Sequence, residues 1–122
     1  MNVDLMLRYG RIPYLDDGDD YRGVDCRGFL RMYYADELGM ILPKSTIGWR
    51  RRFDILDRQT EIKKHDAIIM ACHNTLGIAD HLGVAISSRD VMHAGKVFGG
   101  IVCQPIERLE GTILNIARPK PP

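Results

Sequence analysis

With 122 residues, 45% of them hydrophobic and 27% charged, the chain has the length and composition of one ordinary globular domain, read here as 1–122. Its 17 basic and 16 acidic side chains leave a formal net charge of +1, which gives no global bias towards nucleic acid or an anionic membrane surface. No run reaches the roughly 18 apolar residues of a spanning helix, and Met-Asn-Val-Asp-Leu-Met lacks the basic and apolar parts of a secretory leader. The expectation is therefore synthesis in the cytoplasm without a signal peptide and no membrane insertion.

Residues 4–9 have the length of one or two helical turns. From Gly10 to Asp25 the chain is turn-rich, with Gly-Arg-Ile-Pro-Tyr followed by Leu-Asp-Asp-Gly-Asp-Asp-Tyr-Arg-Gly. Asp25 is placed to cap a helix, along which Cys26, Leu30, Tyr33 or Tyr34, and Leu38 recur at helical spacing. Gly39 is placed to end it. A loop through Pro43 leads into an ill-defined connector. From residue 67 the pattern becomes short β-rich runs at 67–71, 82–86, 90–93, 100–103 and 112–117, before a proline-rich tail at 119–122. Helices first and strands afterwards predict an α+β domain with a mostly antiparallel sheet.

Three cysteines at wide spacing, an odd number, argue against a disulfide framework. Cys72 and Cys103 end or lie within apolar runs and read as structural thiols. Cys26 follows a polar loop and opens a helix, where free N–H groups and the dipole stabilise a thiolate. The aspartates at 16, 17, 19 and 20 oppose that effect unless they point away. His81 opens one strand and His93 closes the next; a hairpin through Ser87-Ser88-Arg89 would bring the two imidazoles together. Cys26 is then the nucleophile, His81 its base and His93 the group that orients the base. The histidines and Cys72 match no familiar zinc spacing, and the acidic loop does not follow the twelve-residue calcium frame. Neither a metal nor another cofactor is expected. Arg50-Arg51-Arg52 beside Trp49 and Phe53 reads as a surface turn flanking a core aromatic, and no nucleic-acid partner is expected.

Gly23-Val24-Asp25-Cys26-Arg27-Gly28-Phe29-Leu30, with His81-Leu82-Gly83-Val84 and His93-Ala94, resembles the NlpC-type cell-wall cysteine peptidases. Arg31-Met32-Tyr33-Tyr34-Ala35-Asp36-Glu37-Leu38-Gly39-Met40-Ile41-Leu42-Pro43 is similar to a stretch of the subgroup carried by tailed bacteriophages and prophages. The resemblance implies a minimal papain-like fold, its catalytic cysteine at the N-terminus of a helix packed on the sheet. It implies hydrolysis of amide bonds in peptidoglycan stem peptides, commonly between D-glutamate and a diamino acid, and no cofactor. The family's nucleophile falls on Cys26, its base on His81 and its third polar residue on His93. A tyrosine that shapes the oxyanion region falls on Tyr14, and Arg27 stands where it could meet stem-peptide carboxylates or simply solvent. Asp25, Gly28 and Asp66 take supporting positions, Asp66 as a structural acid. His65 replaces the glycine usual before Asp66. In a phage setting the partners would include tail-tip proteins, and the site of action would be the virion tail at the bacterial wall. Two other accounts stay open: a tail assembly component with little activity, and an acyl or amide transferase of the same fold.

Overall fold

The computed structural model describes residues 3–121; Met1, Asn2 and Pro122, the last of the proline-rich tail, lie outside the described residues. In chain order the elements are α1 (Val3–Tyr9), β1 (Asp19–Asp20), β2 (Gly23–Val24), α2 (Cys26–Leu38), a 3₁₀ segment (Thr46–Arg52), β3 (Phe53–Asp57), β4 (Ala67–Ala71), β5 (His81–Ala85), β6 (Asp90–Gly95), β7 (Gly100–Pro105), a short 3₁₀ turn (Ile106–Arg108) and β8 (Thr112–Pro119). The class is α+β, with helices leading and an antiparallel sheet following. The chain forms two compact units, residues 3–49 with 93–103, and residues 50–92 with 104–121.

In the first unit, α2 is fixed at both ends by local chemistry. The Asp25 carboxylate accepts from the Gly28 N–H at 2.7 Å, satisfying one of the orphan amides of the first turn. Gly39 stops the helix in the left-handed conformation, φ 64°, and donates back to the Ala35 and Tyr34 carbonyls. The buried face is Gly28, Phe29, Leu30, Met32, Tyr33 and Tyr34. This differs from the expected stripe at one end, because Leu38 is 40% exposed. Tyr9 of α1 meets Phe29 edge-on at 5.5 Å and Tyr33 at 6.3 Å, so α1 adds its inner face to an aromatic core. The Tyr9 hydroxyl, buried with that core, donates to Asp36 and Glu37 at 3.1 Å each. Arg31 explains the polar side of α2: Nε donates to the Leu42 carbonyl at 3.0 Å and Nη1 to Asp19 at 2.9 Å. It ties the helix both to the segment after it and to the acidic loop before it. Trp49 is buried and donates to the Pro43 carbonyl at 2.6 Å. Beside it stand exposed Arg50, Arg51 and Arg52, a solvated turn next to a core aromatic.

The second unit is built on the sheet, whose strand order is β3-β8-β4-β5-β6-β7. Residues 93–95 of β6 and 100–103 of β7 belong to the first unit. The β3–β8, β8–β4, β4–β5 and β5–β6 ladders are antiparallel. A bulge interrupts β4–β8 where Ile69 faces Asn115 and Met70 faces Ile113. Ile68, Met70, Ala85, Val91 and Ile116 form its core, with Leu56, Ile113 and Leu109 against them. β3 was not expected as a strand. Its Phe53-Asp-Ile-Leu-Asp run carries two acids at the edge of the sheet, where charge guards an open edge and masks the apolar signal. Pro119, expected in the tail, instead pairs with Phe53 at the end of β8, and Lys120 donates to the Arg52 carbonyl at 2.8 Å.

Candidate active site

Cys26 is the first residue of α2 and is partly buried. The chain leading to it is stitched by backbone bonds. Val24 donates to Pro13 at 3.0 Å, Leu15 donates to Val24 at 3.0 Å, and Asp25 donates to Gly18 at 3.1 Å. Glycine is required where these strands meet the helix. A Cβ on Gly28 would stand 3.0 Å from the Asp19 Cα and 2.9 Å from the Gly18 carbonyl carbon, with the Gly18 oxygen closer still. The same Gly18 oxygen accepts from Asp25. One close backbone approach thus seats the start of α2, which is the physical reason for the Asp-Cys-x-Gly spacing.

Tyr14 is brought to this point. It forms an isolated parallel bridge with Val24, and its N–H donates to the Gly99 carbonyl at 2.9 Å. Partial burial raises the pKa of its phenol above the ordinary value, and Asp16, Cys26 and Asp25 push it the same way. The hydroxyl therefore stays protonated and able to donate at neutral pH. Arg27 lies on the exposed side, 3.9 Å from the Asp17 carboxylate.

The acidic loop is compensated residue by residue. Asp16 meets Lys96 at 3.6 Å, Asp17 meets Arg27, Asp20 meets Arg22 at 3.2 Å, and Asp19 meets Arg31 at 2.9 Å and Lys44 at 3.7 Å. Exposed pairs of this kind add little stability. Their consequence is electrostatic: each carboxylate has a cation at hand, which offsets its field at the start of α2. Sequence alone left that question open, since Lys96 and Lys44 lie far along the chain.

His93 belongs to the same unit as Cys26 and Tyr14. It is buried, 6% exposed, in β6, with its ring edge-on to Phe98 at 6.0 Å and 82°. Phe98 sits in the turn after β6, and its ring lies so close to Gly95 that a Cβ there would meet it at 2.8 Å. His81 opens β5 in the second unit, partly buried, with Met70 as its register partner. The expected β5–β6 hairpin is present, pairing Val84 with Met92 and Ala85 with Val91. Asp66 also lies in the second unit. It is 1% exposed, and Arg118 grips it with Nε at 3.0 Å and Nη2 at 2.9 Å while the Lys63 N–H donates at 2.9 Å. The buried Asp66 carboxylate is therefore engaged in an ion pair with the partly exposed Arg118. His65 before it holds φ at 78°, the left-handed region where glycine is favoured, so the departure from glycine is accommodated rather than structurally neutral. Among the described residues no group of three His, Cys, Asp or Glu could hold a metal ion.

Sequence reasoning missed the residues around the β4–β5 loop, Asn74 and Asp80, whose side chains organise that loop by hydrogen bonds. An Asn and an Asp flanking Gly77 just before a strand are the turn signal that would have found them.

The model of the NlpC/P60 family matches residues 10–110. A probable endopeptidase NlpC homolog of Haemophilus influenzae is 31% identical over 81 residues, covering 66% of this chain and 40% of that protein. The murein DD-endopeptidase MepS/murein LD-carboxypeptidase of Escherichia coli K12 is 24% identical over 108 residues, covering 83% of this chain and 55% of that protein. The chain thus spans about half the length of the curated relatives it matches. Among solved structures, the NlpC/p60 domain of the peptidoglycan hydrolase SagA superposes with a TM-score of 0.69 at 18% identity, covering 98% of this chain and all of that one. NlpC2 of Trichomonas vaginalis gives 0.77 at 14% identity, covering 94% of this chain and 43% of that one. The fold is shared along nearly the whole chain and the family pattern runs through most of it: this protein belongs to the NlpC/P60 family.

Proposed function

We propose that this protein is a cysteine endopeptidase that hydrolyses amide bonds in peptidoglycan stem peptides, its two units working as one peptidase domain. The observation that carries the reading is a partly buried cysteine opening a capped helix, with Tyr14 beside it, in a chain of the NlpC/P60 family. Peptidoglycan is the substrate class because the relatives are named as murein endopeptidases and a peptidoglycan hydrolase.

In this reading the Cys26 thiolate attacks the scissile carbonyl, forming a bond between Sγ and the carbonyl carbon. His81, as imidazolium, protonates the departing amine as the C–N bond breaks. Neutral His81 then takes a proton from water, which attacks the thioester and releases the acid and Cys26. The Tyr14 hydroxyl and the Cys26 N–H donate to the developing oxyanion. His93 orients His81.

For the bond we propose D-glutamyl–diamino acid, from the family likeness carried by residues 23–30, 81–84 and 93–94, and for the setting a bacteriophage or prophage tail, from the likeness of residues 31–43 to that subgroup. The test is mass spectrometry of purified peptidoglycan fragments treated with the protein and with Cys26→Ala. Cleavage within the stem peptide by the wild type alone supports the peptidase and identifies the bond, and a D-alanyl cut would overturn the bond assigned here. No cleavage by folded protein favours an assembly role, and coupling to an added amine favours a transferase. Proteomics of released virions tests the tail assignment.

A further inference from the structure

The β4–β5 connection carries a network that the proposed chemistry does not use. Asp80 immediately precedes His81. Its Oδ1 accepts from the Cys72 N–H at 2.6 Å, and its Oδ2 accepts from the His73 N–H at 2.8 Å and from Asn74 Nδ2 at 2.9 Å. Its own N–H donates to the Met70 carbonyl at 3.0 Å. Asn74 in turn donates to the Ile78 carbonyl at 2.8 Å, and its Oδ1 accepts from the N–H groups of Leu76 and Ile78 at 3.0 and 3.2 Å.

The loop has little apolar packing to hold it: Leu76 is 79% exposed and Ile78 59% exposed. Its shape rests on these polar ties. They converge where β5 begins, since Met70–His81 is the last rung of the β4–β5 ladder. A strand's first residue is ordinarily where a ladder frays. Here the residue just outside the ladder is fastened by a carboxylate that collects three donors, and bonds to an ionised acceptor are shorter and stronger than neutral ones. The Asp80 carboxyl is held below the usual carboxylate range, first by the Cys72 amide and then by the His73 amide, Asn74 and His73, so the acceptor is an anion at neutral pH.

We infer that Asp80 is a positioning residue for the reaction: by tying Cys72, His73 and Asn74 to the residue before His81, it sets the direction in which the His81 imidazole is presented. The inference rests on the reading of His81 as general base. A purely structural tie would change stability and leave turnover per folded molecule unchanged. A positioning tie changes turnover, because a displacement of about 1 Å in a reacting group can cost on the order of 100-fold.

The experiment compares the wild type with Asp80→Asn, which keeps size but turns an NH₂ towards the His73 and Asn74 donors. With a stem-peptide substrate, the expected result is a fall in kcat of at least about tenfold with KM within about twofold, at unchanged circular dichroism. Asn74→Ala, which removes one of the donors, should fall about threefold and serves as the test should Asp80→Asn not fold. Wild-type kcat in both folded variants overturns the inference and leaves the peptidase reading intact. If the wild type cleaves nothing, the peptidase reading fails separately, and the inference is read from the His81 ring resonance assigned with His81→Gln. A shifted or broadened resonance in Asp80→Asn supports it; an unchanged one overturns it.

Discussion

Gly28→Ala is the sharpest test of how the helix start is built. A methyl group at this position would lie 2.9 Å from the Gly18 carbonyl carbon and 3.0 Å from the Asp19 Cα, and nearer still to the Gly18 oxygen. These are backbone atoms, so no flexible side chain can move aside. Relief requires the loop and helix to separate by roughly 1 Å, given carbon contact distances of about 3.5–4.0 Å. That separation strains the Asp25–Gly18 backbone bond and the Asp25 cap on the Gly28 N–H, both of which hold Cys26 in place. Overpacking costs about 1–3 kcal/mol and a weakened cap about 1 kcal/mol. Alanine's better helix propensity returns up to about 1 kcal/mol. The expected net loss is about 1–4 kcal/mol, measured as a lower urea midpoint with an unchanged m-value. Alkylation of Cys26 by iodoacetamide, followed by mass spectrometry, should change in rate alongside it. A variant as stable as the wild type, or more so, would refute the reasoning, because helix propensity would then outweigh the contact.

Four further outcomes are expected. His65→Val should destabilise the fold by about 1–2 kcal/mol in urea titrations, because a β-branched side chain fits φ 78° poorly, whereas His65→Gly should be at least as stable as the wild type. Asp66→Ala should lower the urea midpoint by removing the buried acceptor of the Lys63 N–H and of the Arg118 guanidinium, and the double variant Asp66→Ala/Arg118→Met should be more stable than Asp66→Ala alone. Tyr14→Phe should lower kcat about 10- to 100-fold with little change in KM if its hydroxyl donates to the oxyanion, and unaltered kcat would remove it from that role. Asp80 has a depressed folded pKa, so its contribution to loop stability is present above the unfolded carboxylate pKa of about 3.9 and is lost as pH falls through the folded value. Hydrogen exchange of the Cys72 and His73 amides, measured by deuterium uptake and referenced to intrinsic rates, should show protection falling over that acidic range; protection that persists unchanged would contradict the tie.

The sequence by itself determined what depends on near neighbours. Asp25 three residues before Gly28, and Gly39 after Leu38, mark the ends of α2 because caps are made by adjacent residues. The runs at 67–71, 82–86, 100–103 and 112–117 declared their strands through apolar, β-branched composition. Cys26 at a helix start singled itself out for the same local reason. The tertiary structure decided whatever required a partner remote in sequence. β3 became a strand because β8 supplied its ladder, although acids at two of its five positions hid its pattern. Leu38 stayed 40% exposed because burial on α2 followed the aromatic contacts of Phe29 and Tyr33, the first of which meets Tyr9 of the distant α1, rather than the end of the apolar stripe. The charge balance of the acidic loop depended on Lys96 and Lys44, and the fate of Asp66 on Arg118, 52 residues away. Capping and propensity act over one turn or one strand, while charge pairing and burial are set only when distant segments meet.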